Sequence, residues 1–382
     1  MRKSTLTKTA IFVTSLLVLA AFAAPRRGGR TGKPDPQRAG RHVDLVIALD
    51  TSGSMDGLID SARQKLWDVV NLMAQARPQP VLRVGLISYG NDGYDPSVGW
   101  LRKDSDLTQD LDALYSKLFA LRTNGGTEYV ARAVHAAVGQ MQWDRDPDAL
   151  RIIFVAGNEP ATQDPQIRVE RAVAEAREHG ILVNTIYCGD ESAGEAAGWR
   201  AVASLGAGQF ASINQNNLAV IATPMDAELG KLSAALNGTY VAYGEEGRMG
   251  KANQAAQDKN AASASAPAAA ARAVAKAGHL YRNPGWDLVD AVGGGGKKLE
   301  EIKEAELPAE LRALPPEKRQ AYLDGKAKER ADLQKQISEL SVKREQYVRD
   351  ARKRAAKPGD RSLDDALAGA LRGQAEAAGF AF

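Results

Sequence analysis

The sequence VDLVIALDTSGSM, residues 43–55, changes character at Asp50. The seven residues before Asp50 are mostly apolar and include valine and isoleucine, which is typical of a strand covered on both faces of a sheet. Beyond Asp50 the apolar run stops, and Ser52 and Ser54 flank Gly53. The pattern Asp-x-Ser-x-Ser therefore places one carboxylate and two hydroxyl groups directly after a buried strand.

Strand-like and helix-like segments alternate from residue 43 to about residue 240. Apolar, strand-like runs cover 43–49, 81–89, 151–156, 181–188 and 209–213. Helical spacing of apolar residues marks 57–76, 110–121, 128–141, 167–180, 193–206 and 225–238. This alternation predicts an α/β fold with a doubly wound, mostly parallel sheet flanked by helices. Sites in such sheets form at the carboxyl ends of the strands, where Asp50 is expected.

The oxygen atoms that follow the first strand suit a hard divalent cation. Carboxylate and hydroxyl oxygens are ligands that Mg²⁺ and Mn²⁺ accept. Gly53 permits the sharp turn that directs the hydroxyl groups of Ser52 and Ser54 inwards. We therefore predict an Mg²⁺ or Mn²⁺ site at Asp50, Ser52 and Ser54. One carboxylate and neutral hydroxyl groups would leave the ion electrophilic, with a position open to a carboxylate from outside.

Asp-x-Ser-x-Ser after the first buried strand of an alternating α/β domain resembles the von Willebrand factor type A (VWA) family. In that family the motif belongs to the metal-ion-dependent adhesion site (MIDAS). The resemblance covers roughly residues 43–240 and implies a Rossmann-like VWA fold. It also implies a threonine ligand from a later glycine-rich loop, and NGGTE, residues 124–128, offers Thr127. The implied function is metal-bridged protein binding, in which a partner protein supplies an acidic residue.

One position departs from the family pattern. The family usually has an aspartate after its fourth core strand, whereas RIIFVA (151–156) is followed here by Gly157. Asn158 and Glu159 are the nearest oxygen donors, and they are the candidate substitutes for this aspartate. Because the substitution removes a negative charge beside the ion, we expect Mg²⁺ or Mn²⁺ to bind more weakly than at a complete site.

Other acidic residues near these loops are interpreted as residues that do not bind metal. Asp92, Asp95 and Glu128 are expected to be solvated rim groups, because loops are polar by default. Asp56 is expected to cap the helix that begins near Gly57. The four histidines lack zinc-type spacing, and no nucleophile or base has an evident place beside the ion. A binding module that is not an enzyme is therefore predicted.

The N-terminal sequence indicates export. Residues 1–23 combine a basic start, an apolar stretch and small residues at the end, as a secretory signal peptide does. Residues 24–42 are interpreted as a basic flexible linker. We predict a secreted protein, periplasmic or extracellular, with no membrane span after signal cleavage; an uncleaved N-terminal anchor is the alternative. A net charge of +3 and an aromatic content of 6% do not favour nucleic acid as a partner.

The C-terminal third has a different composition from the predicted VWA domain. The Ala/Gly-rich residues 241–298 are interpreted as a connecting segment, and residues 299–382 as a charged helical extension. Within the connecting segment, the alanine-rich residues 250–279 suit a loose helix or a linker, and composition does not decide between them. One apolar stripe in 314–354 is interrupted by Arg344, which leaves two interpretations: a helix packed by one face, or self-association as a coiled coil. The stripe consists of Leu333, Ile337, Leu340 and Tyr347. The alternative function is a structural or assembly scaffold with a degenerate metal site, which associates through these helices.

Overall fold

Six strands of the described chain form one sheet in the order β3-β2-β1-β4-β5-β6. The strands are β1 (His42–Asp50), β2 (Val81–Tyr89), β3 (Leu101–Thr108), β4 (Leu150–Gly157), β5 (Ile181–Tyr187) and β6 (Ala207–Ser212). All neighbouring strands are parallel except β2 and β3. The predicted mostly parallel, doubly wound sheet is therefore confirmed.

The computed structural model describes residues 41–215, 220–294, 296–355 and 363–382. The predicted signal peptide, residues 1–23, and nearly all of the predicted linker, residues 24–42, lie outside the described residues. Within the described ranges, no helix is long and apolar enough to cross a membrane.

Strand β1 lies between β2 and β4 in the sheet, and this position determines where a site forms. The chain moves outwards from β1 through β2 to β3, and then returns to the other side of β1 with β4. The carboxyl ends of β1 and β4 therefore flank the switch point of the sheet, where ligands bind in open α/β folds. Asp50 ends β1 and Gly157 ends β4 at this point.

Strand β3 was not predicted from the sequence. Its residues, LRKDSDLT, are mostly polar, because β3 is an edge strand whose middle residues are not buried. It pairs antiparallel to β2, and the pairing contains irregularities near Leu86. An edge strand with one covered face needs fewer apolar residues than the central strands, so the apolar pattern of a buried strand is missing.

Helices cover both faces of the sheet and continue beyond it. They are α1 (Asp56–Gln75), α2 (Leu111–Ala120), α3 (Val130–Gln140), α4 (Val169–Glu178), α5 (Gly194–Leu205), α6 (Asp226–Asn237), α7 (Gly244–Ala264), α8 (Ala266–Ala277), α9 (Leu288–Gly293), α10 (Ala309–Arg312), α11 (Pro316–Ala355) and α12 (Leu363–Ala377). Short 3₁₀ turns lie at Pro96–Val98, Leu299–Glu301 and Glu304–Glu306.

Successive residues of β1 face opposite layers of the core, as the two-residue period of a strand requires. Leu45 and Leu49 belong to the layer that contains buried residues of α1, α2 and α12. Val46 and Ala48 belong to the layer that contains buried residues of α3, α4 and α5. Because both faces are covered, β1 is apolar along most of its length, and its carboxyl end is held firmly.

The alanine-rich segment after α6 is helical and packed. Helices α7 and α8 contact α1, α2 and α6. The Arg272 guanidinium of α8 is buried and donates to Asp112 of α2 at 2.5 Å and to Asp258 of α7 at 2.6 Å. These buried ion pairs connect the helices after residue 240 to the helices that cover the sheet. Composition alone did not distinguish between a helix and a linker here.

The apolar stripe of α11 packs within the same chain. Ile337 is buried in a cluster that includes Leu229 of α6 and Ala273 of α8. Arg344, which interrupts the stripe, pairs with the buried Asp226 at 2.9 Å. The packing of α11 by one face is therefore observed, whereas self-association through 314–354 stays a prediction.

Candidate metal centre

Asp50 is the last residue of β1 and its side chain is fully buried. Its Oδ1 atom accepts a hydrogen bond from the backbone N–H of Ser52 at 2.8 Å. The next residue, Thr51, donates from its backbone N–H and from its Oγ1 to the carbonyl of Tyr89, at 2.8 and 2.9 Å. These bonds fix the chain as it leaves the sheet, so the Asp50 carboxylate has a defined orientation.

The two predicted serine ligands lie together beyond Asp50. Their hydroxyl oxygens, Ser52 Oγ and Ser54 Oγ, are 3.2 Å apart. Ser52 is buried, whereas Ser54 is exposed, so the pair leads from the interior to the surface. The structure therefore brings together the three residues of the Asp-x-Ser-x-Ser motif, with one end of the group open to solvent.

A second loop, residues 121–129 between α2 and α3, lies against the first. The backbone N–H of Gly53 donates to the carbonyl of Gly125 at 2.9 Å, and the N–H of Asn124 donates to the carbonyl of Thr51 at 2.9 Å. Thr127 is half-buried in this second loop. In the described part of the chain its hydroxyl makes no hydrogen bond to the residues of the motif, and Thr127 stays a predicted ligand.

Asp56 does not cap α1 as expected. It is the first residue of the helix, and the preceding Met55 provides no side-chain cap. The Asp56 carboxylate instead accepts a hydrogen bond from the hydroxyl of Thr123. Asp56 therefore adds a further link between the first and the second loop.

Glu128 is not a solvated rim group, so this prediction was wrong. Its side chain is 4% exposed, and its Oε2 atom is buried without a hydrogen-bond partner. Asp92 and Asp95 are exposed, and Asp95 accepts the N–H of Ser97 at 2.8 Å in the turn that follows β2. In the sequence, the indication that Glu128 belongs to the site was its position directly after the predicted ligand Thr127. Its burial could not be predicted, because it depends on residues that are distant in sequence.

The position of the missing family aspartate is closed. A Cβ atom on Gly157 would lie 2.6 Å from the Tyr89 hydroxyl oxygen and 3.0 Å from Asp50 Oδ2. The Tyr89 hydroxyl donates to the carbonyl of Ala156 at 2.9 Å, so hydrogen bonding holds it there. The phenol of Tyr89 thus takes the space that a side chain at position 157 would need.

Of the two predicted substitutes, Asn158 reaches the motif. Its Nδ2 donates to Ser54 Oγ at 3.2 Å, and its Oδ1 is buried without a partner. Glu159 is half-buried, and its Oε2 accepts from Gln163 at 3.2 Å. Glu159 affects the site through its charge and makes no hydrogen bond to the motif within the described residues.

Burial raises the pKa of Asp50 to about 8, and the negative charges of Glu128 and Glu159 act in the same direction. Burial also raises the pKa of Glu128, with the charges of Glu159 and Asp92 as further causes. The hydrogen bonds that Asp50 and Glu128 receive are too weak to offset this desolvation. The site therefore requires either bound protons or a cation to balance its carboxylates.

The donor set fits a hard dication. Across the residues that the structure describes, no group of three or more His, Cys, Asp and Glu side chains is arranged to hold a metal ion. The candidate centre has another composition, with hydroxyl oxygens beside the buried carboxylates of Asp50 and Glu128. Each of these carboxylates has one buried oxygen without a partner, which is costly unless a cation supplies the missing interaction.

Comparison with known proteins matches the segment that contains the candidate site. The family model for the von Willebrand factor type A domain matches residues 44–221. No curated protein is significantly similar to the chain in sequence.

Three solved structures illustrate the similarity to known folds. The VWA domain of SpRpn10 is 15% identical, with 46% of this chain and 93% of that chain covered and a TM-score of 0.36. Proximal thread matrix protein 1 from the mussel byssus, with a zinc-occupied MIDAS motif, is 11% identical. The match covers 47% of this chain and 43% of the mussel chain, with a TM-score of 0.38. A von Willebrand factor type A protein from Catenulispora acidiphila is 18% identical. The match covers 47% of this chain and 41% of the Catenulispora chain, with a TM-score of 0.36. The matched segment spans less than half the length of the mussel and Catenulispora chains.

Proposed function

Because residues 44–221 of this chain are a von Willebrand factor type A domain, we propose that the protein is a metal-ion-dependent protein-binding module. The proposed ligands of the ion are Asp50, Ser52, Ser54 and Thr127. A bound Mg²⁺ or Mn²⁺ would supply an electrophilic centre with a position open to a carboxylate. The observation that carries the proposal is the unpartnered, buried Oδ2 of Asp50 at the switch point of the sheet.

The arrangement of the two loops supports binding of a partner from outside. Asp50 is held at the buried end of the site by the backbone of Ser52, and Ser54 is exposed at the other end. Gly53 and Gly126 are also exposed, so the rim next to Ser54 has little side-chain bulk. A partner that offers an acidic residue on a protruding loop would therefore meet the hydroxyl end of the site first.

We propose binding rather than catalysis for this site. Hydrolysis at a metal centre needs a nucleophile or base beside the reacting group. Cys188, the chain's only cysteine, is buried, and burial raises the pKa of its thiol well above the usual range, so it stays protonated at neutral pH. The uncharged hydroxyl groups of Ser52 and Ser54 bond to each other, and neither has a histidine partner in the described residues.

Export belongs to the same proposal. The apolar, small-residue pattern of residues 1–23 favours a secretory signal, and the mature protein would then act in the periplasm or outside the cell. A protein-binding function without nucleic acid agrees with the near-neutral charge of the chain.

A scaffold with a degenerate metal site is the second candidate, and two observations favour it. Tyr89 closes the position where the family carries its aspartate, and burial raises the pKa of Asp50 to about 8. A protonated Asp50 would let the fold persist without an ion at neutral pH. In this case, association would depend on the C-terminal helices α11 and α12 rather than on the motif.

A capture experiment distinguishes the two candidates. The full chain is immobilised in Mg²⁺ and in EDTA, and bound proteins are identified and then purified. We expect the purified partner to bind only in Mg²⁺, and to lose binding to Ser52→Ala and Thr127→Ala chains but not to an Asp95→Asn chain. Conversion of the partner's acidic side chains to amides should also abolish binding. Equal binding in Mg²⁺ and EDTA would contradict the proposal and favour the scaffold.

A further inference from the structure

We propose that Glu128 is the second acidic ligand of the metal centre and takes over from the aspartate that is absent at position 157. This inference rests on the metal binding in the proposed function, but it concerns how the ion is held and not what the partner is. It adds a residue outside Asp50, Ser52, Ser54 and Thr127 to the site.

The first argument is the position of Glu128 relative to Asp50. A Cβ atom placed on Gly90 would lie 2.7 Å from Asp50 Oδ1 and 2.7 Å from the Cγ of Glu128. The two acidic side chains therefore converge on one small volume above Gly90, which follows β2. Gly90 has φ +77°, a conformation that favours glycine, and any side chain there would collide with both acids.

The second argument is that burial is only partly compensated by hydrogen bonds. Asp50 is fully buried and Glu128 is 4% exposed. Asp50 Oδ2 and Glu128 Oε2 have no hydrogen-bond partner within the described residues. Two buried carboxylates close together repel each other and lose hydration, so the pair needs either bound protons or a positive charge beside it. Since the described chain offers no such charge to these oxygens, a cation from solution is the counter-charge that the geometry favours.

The third argument is that the other acidic positions are closed or engaged. At position 157, the Tyr89 hydroxyl takes the space that a side chain would need. Glu159 is only half-buried and already accepts a hydrogen bond from Gln163. Among these acidic positions, Glu128 combines deep burial with an oxygen that has no hydrogen-bond partner, and its Cγ lies on the same side of Gly90 as Asp50 Oδ1.

The end of β4 thus lacks the acid of the family pattern, and the loop before α3 carries a buried acid. The number of acidic residues beside the ion is then restored. With Asp50 and Glu128 both available, we expect metal affinity to depend on both carboxylates, rather than to be weak as the sequence pattern predicted.

Calorimetric titration of the full chain with MgCl₂ and with MnCl₂ tests this inference. Glu128→Gln keeps the size of the side chain and removes its charge, and we expect it to weaken binding by at least about tenfold. The matched control is Glu159→Gln, which removes a neighbouring charge and should change affinity by less than about threefold, because Glu159 contributes only at a distance. Electron paramagnetic resonance of added Mn²⁺ provides a second readout of the bound fraction.

Thermal melting in EDTA shows whether the variants fold. Without metal, Glu128→Gln should melt at or above the wild-type temperature, because it replaces a carboxylate that is desolvated by burial with a neutral amide. Wild-type affinity in Glu128→Gln, or a greater loss in Glu159→Gln, would overturn the inference and leave the proposed function intact. Reduced metal affinity in Glu128→Gln with partner binding that persists in EDTA would support the inference and overturn the proposed function. A wild-type chain that binds neither ion would overturn both.

Discussion

At the end of β1, the carboxylate of Asp50 lies between two side chains that the sequence pattern did not assign to the metal site. Glu128 approaches one side of it from the loop before α3, and the Tyr89 hydroxyl occupies the space beside Gly157 on the other. The two features are complementary, because a phenol at position 89 is compatible with glycine at 157, and an acid at 128 compensates for the charge that glycine lacks. The Asp-x-Ser-x-Ser motif was visible in sequence, but the packing of Tyr89 and Glu128 around it was not.

Restoring the family aspartate should destabilise this protein. In Gly157→Asp, the new Cβ would lie 2.6 Å from the Tyr89 hydroxyl, and its carboxylate would be buried beside Asp50. We expect the metal-free chain to lose about 1–3 kcal/mol of unfolding free energy in urea titrations. Tyr89→Phe alone is the control, and Gly157→Asp combined with Tyr89→Phe should lose less than the two single changes added together. A Gly157→Asp chain as stable as the wild type would show that Tyr89 does not close this position.

At the scale of elements, the apolar runs of central strands and the spacing of helices predicted most of the α/β pattern. Strand β3 was not predicted, because an edge strand with polar residues lacks an apolar run. Helices α7 and α8 were left undecided because alanine suits a helix and a linker alike, whereas their stability comes from tertiary contacts. Of these contacts, the buried Arg272 is the most informative, since an arginine in an alanine-rich segment gives no sign of its acidic partners in sequence.

Arg272→Ala should be strongly destabilising. The substitution leaves the buried Asp112 and the partly buried Asp258 without their guanidinium partner and removes the cation over the Trp67 ring. Breaking a buried ion pair from one side costs about 3–5 kcal/mol, so we expect a loss of this size in urea or thermal unfolding. Arg168→Ala, at an exposed pair with Glu170, serves as the control and should leave stability nearly unchanged. If the two substitutions changed the free energy of unfolding equally, the ion pairs of Arg272 would contribute little to stability.

At the scale of the whole molecule, the described residues from Arg41 to Phe382 form one compact unit, and its sheet is covered by helices from distant parts of the sequence. Leu367 and Leu371 of α12 are buried in the same layer as Leu45 of β1. The amides of Asn184 in β5 and Gln374 in α12 exchange two buried hydrogen bonds, of 3.0 and 2.7 Å. The sequence predicted that residues 299–382 are helical, and α12 lies within this range. It gave no indication of the partner of this helix, because the contacts cross nearly two hundred residues.

Truncating a buried leucine of α12 should destabilise the sheet itself. Leu371 is fully buried, and Leu371→Ala is expected to lower the free energy of unfolding by about 2–5 kcal/mol. Because α12 packs in the same core layer as β1, the unfolding midpoints followed by tryptophan fluorescence and by circular dichroism should shift together. The control is Leu205→Ala. Leu205 is 45% exposed, so this substitution should change the free energy of unfolding only slightly. Unchanged stability in Leu371→Ala would indicate that α12 is dispensable for the fold.

The central claim is that the buried carboxylate of Asp50, with Ser52, Ser54, Thr127 and Glu128 around it, holds a divalent cation. The most direct measurement is a crystal structure of the full chain grown in MnCl₂, with anomalous scattering recorded at the manganese edge. The account predicts one strong anomalous peak between the Asp50 and Glu128 carboxylates and the serine hydroxyl groups, and no such peak in crystals of Asp50→Asn. A saturating manganese concentration that leaves this volume without a peak would contradict it.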